Sequence, residues 1–225
     1  MPHLAHSLAG GWRAALGAVA LAATAWTGAA HAADAYPNKP ITLVIPFSPG
    51  GSTDILGRLL AQKLSESLNT SVVVENKPGA NGTIGVDRVA KSAPDGYTIV
   101  LGDVGGMSMA PGLYPKLPYD PLKDLAPISL VGRSPLVLTV GNNSPLKSLA
   151  DLTGTAKANP GKLNYPSSGT GGPNHLGGAL YAIQAQVNVT HVPYKGSAPS
   201  VVSLVAGETD FGFLTAVTIN SQLKA

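Results

Sequence analysis

The chain has 225 residues, a formal net charge of +3 and no cysteine, which excludes disulfides, thiolate metal sites and a lipobox anchor. Charges of both signs are interspersed, with no basic run suited to a phosphate backbone, so nucleic acid is not an expected partner. The 27 glycines and 19 prolines fall at intervals, as punctuation between short elements rather than as low-complexity blocks.

The chain opens on "MPHLAHSLAGGWR", with Arg13 its one firm positive charge, followed by the apolar run "AALGAVALAATAWTGAA". Ala30-His31-Ala32 then supplies small residues at the two positions a signal peptidase reads, so residues 1–32 read as a secretory signal peptide. Its apolar core is shorter than the roughly 18–20 residues that span a bilayer. The mature protein is expected to be soluble in the periplasm, without a lipid anchor.

Beyond the signal, strand-like and helix-like segments alternate. "ITLVIPF" is nearly all apolar, as a strand buried on both faces should be. After the turn "SPGGSTD", Ile55, Leu56, Leu59, Leu60, Leu64 and Leu68 predict one apolar helix face. "SVVVEN" predicts a second strand, "KPGANGT" a turn, "IGVDRVAKS" a short helix and "YTIVLG" a third strand. Alternation of this kind predicts a parallel sheet with right-handed crossovers. The proline-rich "LYPKLPYDPLKDLAPIS" should wrap the surface, because proline cannot donate to a central ladder. "PLVLTVG" reads as a strand, and Ser148 with Asp151 has the spacing of a capping box opening "LADLTGTAKA". The pattern then resumes: "KLNYPS" strand, "GGPNHLGGALYAIQAQ" helix, "THVPY" strand, "APSVVSLVAG" helix, "TDFGFL" strand. Two α/β units joined by one long segment predict two lobes with a cleft between them.

Two loops carry candidate chemistry. In Phe47–Asp54, Gly50 and Gly51 leave the backbone bare at a helix N-terminus, and Ser52 and Thr53 add hydroxyls. Such an assembly suits a carboxylate, because the first helical N–H groups lack acceptors and the dipole is positive there. A plain Gly-Gly turn with an N-cap accounts for the same residues. It is neither a Walker loop nor G-x-G-x-x-G. "YPSSGTGGPNH", Tyr165–His175, repeats the design after another strand, with Ser167, Ser168, Gly169, Thr170 and Gly171 offering hydroxyls and bare backbone. His175 and His191 are the only mature histidines, and no H-E-x-x-H occurs, so no metal site is expected. His191 reads as structural, and Arg58 and Lys63 as the polar helix face. Ser167 or Ser168 with His175 would suit a secreted Ser/His hydrolase, but G-x-S-x-G and an orienting acid are lacking.

The segments "YPNKPITLVIPFSPGGSTDILGRLLAQKL", "VVVENKPGANGTIG", "DGYTIVLG", "KANPGKLNYPSSGTGGPNHL" and "VPYKGSAPSVVSLVAGETDF" closely resemble, in order, the Bug or tripartite tricarboxylate transporter (TTT) substrate-binding protein family. The resemblance implies an α/β, two-lobed periplasmic binding protein of type II, with parallel-rich sheets flanked by helices. Lobe 1 would be 33–133 and lobe 2 134–225, hinged near residues 125–141. Relatives continue past "INSQLKA" to complete lobe 1, so that part is expected to be missing and the remaining fold aggregation-prone. The resemblance also implies a non-enzymatic, monomeric receptor without cofactor. It would bind a small carboxylate for a membrane permease or, alternatively, a sensor kinase. Carried onto this chain, the ligand loops are Ser48–Asp54, including Ser48 and Asp54 themselves, and Ser167–His175, with Tyr194 of "PYKG" lining the cleft. Two departures stand out. Asp103 replaces a small or hydroxyl residue of many relatives, and either meets a ligand group or caps the next helix. Leu214 stands where relatives often carry an Asp.

Overall fold

A computed structural model describes residues 35–220 together with Gln222 and Leu223, so the expected signal peptide lies outside the described residues. The chain divides into compact units between Asn38 and Lys39. Only residues 35–38 of the first are described, and every described helix and strand belongs to the second, from Lys39 onward.

The first half is built on a three-stranded parallel sheet of order β2-β1-β3, from β1 (Ile41–Ile45), β2 (Val72–Asn76) and β3 (Thr98–Val100). The apolar β1 is the central strand, with Leu43 opposite both Val74 and Ile99. Helix α1 (Ser52–Leu68) covers it. The buried stripe of α1 differs from the expected leucine face: Asp54, Gly57 and Ala61 are buried, whereas Ile55, Leu59 and Leu68 are exposed. Small residues form the seam because α1 lies very close to the sheet; a Cβ at Gly57 would sit 2.3 Å from Ile45 Cδ1. Leu60 and Leu101 complete this core around Leu43, Ile45 and Ala61. A tight turn, Ala80–Gly82, leads into α2 (Thr83–Ala90). After β3, a π-helical turn (Gly105–Met109) runs into the short α3 (Ala110–Leu113). The proline-rich segment then crosses the surface without regular structure, leaving Leu122, Ile128 and Leu130 exposed.

The second half contains β4 (Leu136–Val140), α4 (Leu149–Ala158), β5 (Asn164–Ser167), α5 (Pro173–Ala185), β6 (Thr190–Pro193), α6 (Ser197–Val205), β7 (Phe211–Thr215) and the short α7 (Ala216–Ile219). Strands β5 and β6 pair in parallel as expected. Strands β4 and β7, by contrast, pair antiparallel, with Leu138 opposite Phe213. β4 is entered from the long irregular segment rather than from a crossover helix, so its direction is free of the parallel βαβ constraint. Ser148 caps α4 by accepting the Asp151 N–H, while Asp151 reaches back to the Lys147 N–H. The core here is Leu146, Leu152, Tyr165, Tyr181 and Phe211. Leu214 is fully buried among Val201, Leu204 and Ile219, so it is a core residue.

Candidate functional site

The first glycine loop is held from within. Gly50 adopts φ +80°, a left-handed turn that glycine takes without penalty, and its N–H donates to Asp54 Oδ2 at 2.9 Å. The same oxygen accepts from Arg58 Nε at 2.9 Å, and Asp54 Oδ1 accepts from Asn76 Nδ2 at 2.9 Å. Burial opposes the Asp54 charge, but the donors from Arg58, Gly50 and Asn76 outweigh it and hold the carboxyl below its usual range. Both oxygens of Asp54 are therefore committed to the loop's own framework, and Arg58, expected on the polar face, is part of it. Thr53 lies in the first turn of α1.

The outer side of this loop meets the second half of the chain. Ser48 Oγ donates to the Lys195 carbonyl, and the Ser52 N–H donates to Ser197 Oγ at 3.3 Å. Gly51 leaves room for that seam, since a Cβ there would lie 2.8 Å from Ser197 Oγ.

The second loop is organised by two imidazoles. His191 Nε2 lies 2.6 Å from Ser167 Oγ, which also accepts the Gly169 N–H. His175 Nδ1 accepts the Gly171 N–H at 3.0 Å, and the two imidazoles stack with centroids 4.0 Å apart. Burial lowers the pKa of both; His191, beside His175, falls to about 4. Both rings are thus neutral near pH 7. Ser167 is wholly buried behind the loop, and its partner is His191 rather than His175. Ser168 Oγ donates to Asn174 Oδ1, and Asn174 in turn donates to the Phe213 carbonyl. Asp103 caps the π-helical turn: its Oδ1 accepts the N–H groups of Gly105 and Gly106 at 2.9 and 3.2 Å. Burial pushes its carboxyl up, against the pull of those two donors.

Between the halves lies a cavity of about 230 Å³. Of the expected residues, Ser168, Gly169, Thr170 and Tyr194 line it. The Ser48–Asp54 loop instead forms the neighbouring seam, while Gly171, whose N–H is accepted by His175 Nδ1, faces Leu113 of the first half. Phe47, Tyr114, Lys195 and the turn Gly79–Gly82 line the cavity as well. Tyr114 bridges the halves by donating to the Thr170 carbonyl at 3.2 Å. The turn takes positive φ throughout, with values of +133°, +45°, +52° and +86° at Gly79, Ala80, Asn81 and Gly82, at a backbone cost for Ala80 and Asn81 alone. Its sequence announced a turn, but not that the turn would face inward.

The pattern of the tripartite tricarboxylate transporter family receptors (TctC) matches residues 56–225. The chain belongs to that family. BugT of Bordetella pertussis is 43% identical over 186 residues, 82% of this chain and 57% of BugT. Among solved structures, Rpa4515 of R. palustris with adipate is 36% identical, with a TM-score of 0.82 over 84% of this chain and 63% of that one. MatC of Rhodopseudomonas palustris with bound malate is 32% identical, with a TM-score of 0.79 over 84% and 64%. The chain thus spans about three fifths of the length of these relatives. The family expected from the quoted motifs is the one found, and the fold is that of periplasmic binding proteins, a family of solute-binding receptors. No helix among the described residues is long and apolar enough to cross a membrane.

Proposed function

We propose that the protein is a periplasmic solute receptor whose lobes, 33–133 and 134–225, close on a small carboxylate. We further propose that it passes the ligand to a membrane permease of the tripartite tricarboxylate type. The observation that carries the ligand class is charge. Among the described residues lining the cavity, Lys195 alone is formally charged, and none of them is an acid. Glycine backbone and the Thr170 hydroxyl accompany it, a setting that favours an anion over a cation or a neutral amide. The cavity volume, about 230 Å³, falls below the roughly 300–1,000 Å³ of drug-sized sites and suits a small molecule. The adipate and malate bound by the two solved relatives are of the same class.

Binding without chemistry is the consistent mode. A nucleophilic serine must reach its substrate, yet Ser167 is fully buried and does not line the cavity.

A thermal-shift screen tests the proposal, using mono-, di- and tricarboxylates, aromatic acids, amino acids and uncharged amides. A ligand at about one hundred times its dissociation constant adds roughly 2.7 kcal/mol, a clear shift. Carboxylates are expected to raise the melting temperature and uncharged amides to leave it unchanged. A shift from amides with none from any carboxylate would reject the anion reading.

A further inference from the structure

We propose that the cavity takes a monocarboxylate with an apolar body, its carboxylate at the Lys195 mouth and its body against Phe47. This rests on the carboxylate reading above and narrows it to acids with a single charged group.

The two ends of the cavity differ in exposure. Thr170 and Lys195 are exposed, whereas Asn81, Gly82 and Phe47 are buried, Phe47 being only 5% exposed. The positive charge of the lining thus stands at the mouth. The Phe47 ring closes the inner end, packed so near the turn that a Cβ at Gly82 would lie 3.2 Å from its Cζ.

Free donors divide the same way. The Tyr114 hydroxyl already donates to the Thr170 carbonyl, and the Ser168 hydroxyl to Asn174. The Gly82 N–H is taken by the Gly79 carbonyl and the Gly169 N–H by Ser167 Oγ. The Asn81 amide is sealed off from the cavity, pressed by Gly105 and Gly172. Among the described residues, the side-chain donors left to a ligand are the Lys195 ammonium and the hydroxyls of Thr170 and Tyr194, all from the second half. One carboxylate, with about four acceptor sites on its two oxygens, uses these groups up.

A second carboxylate on the same ligand would have to lie at the inner end. There it would face the Phe47 ring, without a cation and without a free side-chain donor. Behind this end stands Asp103, which caps the turn at Gly105, and Gly105 abuts Asn81. An acid rather than a base therefore backs the inner wall. Burying a charge without a partner is strongly unfavourable, whereas an alkyl or aryl body gains from the same surroundings. Adipate and malate, bound by the two solved relatives, each carry two carboxylates, so the ligand inferred for this chain differs in charge from theirs.

The test is calorimetric titration of the purified protein with pairs in which a methyl group replaces one carboxylate: hexanoate against adipate, pentanoate against glutarate, and p-toluate against terephthalate. The monocarboxylate should bind about tenfold more tightly or better in every pair that binds. Lys195→Met should weaken the monocarboxylates by a common factor, since each presents the same single charge to the mouth. A diacid that binds as tightly as its partner, or binding by di- or tricarboxylates alone, would overturn the inference and leave the carboxylate receptor standing. Monocarboxylate affinity unchanged in Lys195→Met would overturn it too. The wild-type comparison needs no variant, so it decides even if Lys195→Met misfolds. Failure of every carboxylate, in these pairs and in the screen, would refute the carboxylate reading itself, and this inference with it.

Discussion

Gly51→Leu perturbs the seam between the first glycine loop and α6 while leaving the rest of the chain alone. Gly51 has φ −78° and ψ 169°, ordinary extended backbone that any residue adopts, so a side chain here adds no backbone strain. A Cβ at this position lies 2.8 Å from Ser197 Oγ, 3.6 Å from the Ser48 carbonyl oxygen and 3.8 Å from the Ala198 nitrogen. Alanine therefore requires only that the Ser197 hydroxyl turn away, breaking the bond it accepts from the Ser52 N–H. That loss is about 0.5–1.5 kcal/mol, or roughly two- to tenfold in affinity if the seam forms on binding. Leucine places further carbons against the backbone of Ser48 and Ala198, which cannot turn aside. Holding the seam open is expected to cost about 3 kcal/mol, on the order of a hundredfold in affinity. Titration with a carboxylate from the screen reads the affinity, and melts of the unliganded variant check the fold. Undiminished binding by Gly51→Leu would refute the reasoning, as would an unliganded melting temperature that falls as far as the affinity does.

Acid should weaken the fold through the stacked imidazoles. His191 is neutral in the folded state down to about pH 4, whereas an unfolded histidine takes up its proton near 6.5. The unfolded state thus binds the proton first, and stability drops as pH falls between those values, by up to about 1.4 kcal/mol per pH unit. Melts at pH 7, 5.5 and 4.5 should show this slope, and His191→Gln should flatten it. Asp54→Asn would keep one acceptor and turn its amide N–H either toward Arg58 and Gly50 or toward Asn76, donors in both cases, so urea melts should lose about 1–3 kcal/mol. Unchanged stability would mean that these bonds are not what hold the loop. Lys195→Met should lower carboxylate affinity by about threefold to tenfold and reduce its dependence on ionic strength, because Lys195 is an exposed, screened charge. Equal salt dependence in the two proteins would argue against that role.

Elements with strong local signals are legible in the amino-acid pattern itself. The apolar β1, the Ser148 cap and the span of α4 are set by hydrophobicity and by side chains acting on neighbours a few residues away. The buried face of α1 is not, because leucines and isoleucines recur all around that helix. Only the sheet beneath shows that Gly57 and Ala61 form the contact. The reversed direction of β7 against β4 depends on how a long segment re-enters the sheet, and no local pattern encodes that. Within the site, the second loop is legible as a donor-rich stretch, but its residue types do not say which hydroxyl turns inward. Ser167 and Ser168 are adjacent and alike; one bonds His191 behind the wall and the other lines the cavity. The turn at Gly79–Gly82 shows the same limit, since glycine and asparagine permit left-handed backbone without revealing which cavity it faces.

The short approach between Gly51 and Ser197 has a practical use in a chain that contains no cysteine. The 2.8 Å between a Cβ at one residue and Oγ of the other is near the roughly 3 Å that separates a half-cystine Cβ from its partner's sulfur. Cysteines at these two positions would have each other as sole partner, with no native thiol to compete. Oxidation would staple the two sides together and a reductant would free them, so one preparation supplies both a locked and a mobile receptor. Ligand trapped before oxidation should then leave only after reduction, converting a fast exchange into one timed by the experimenter.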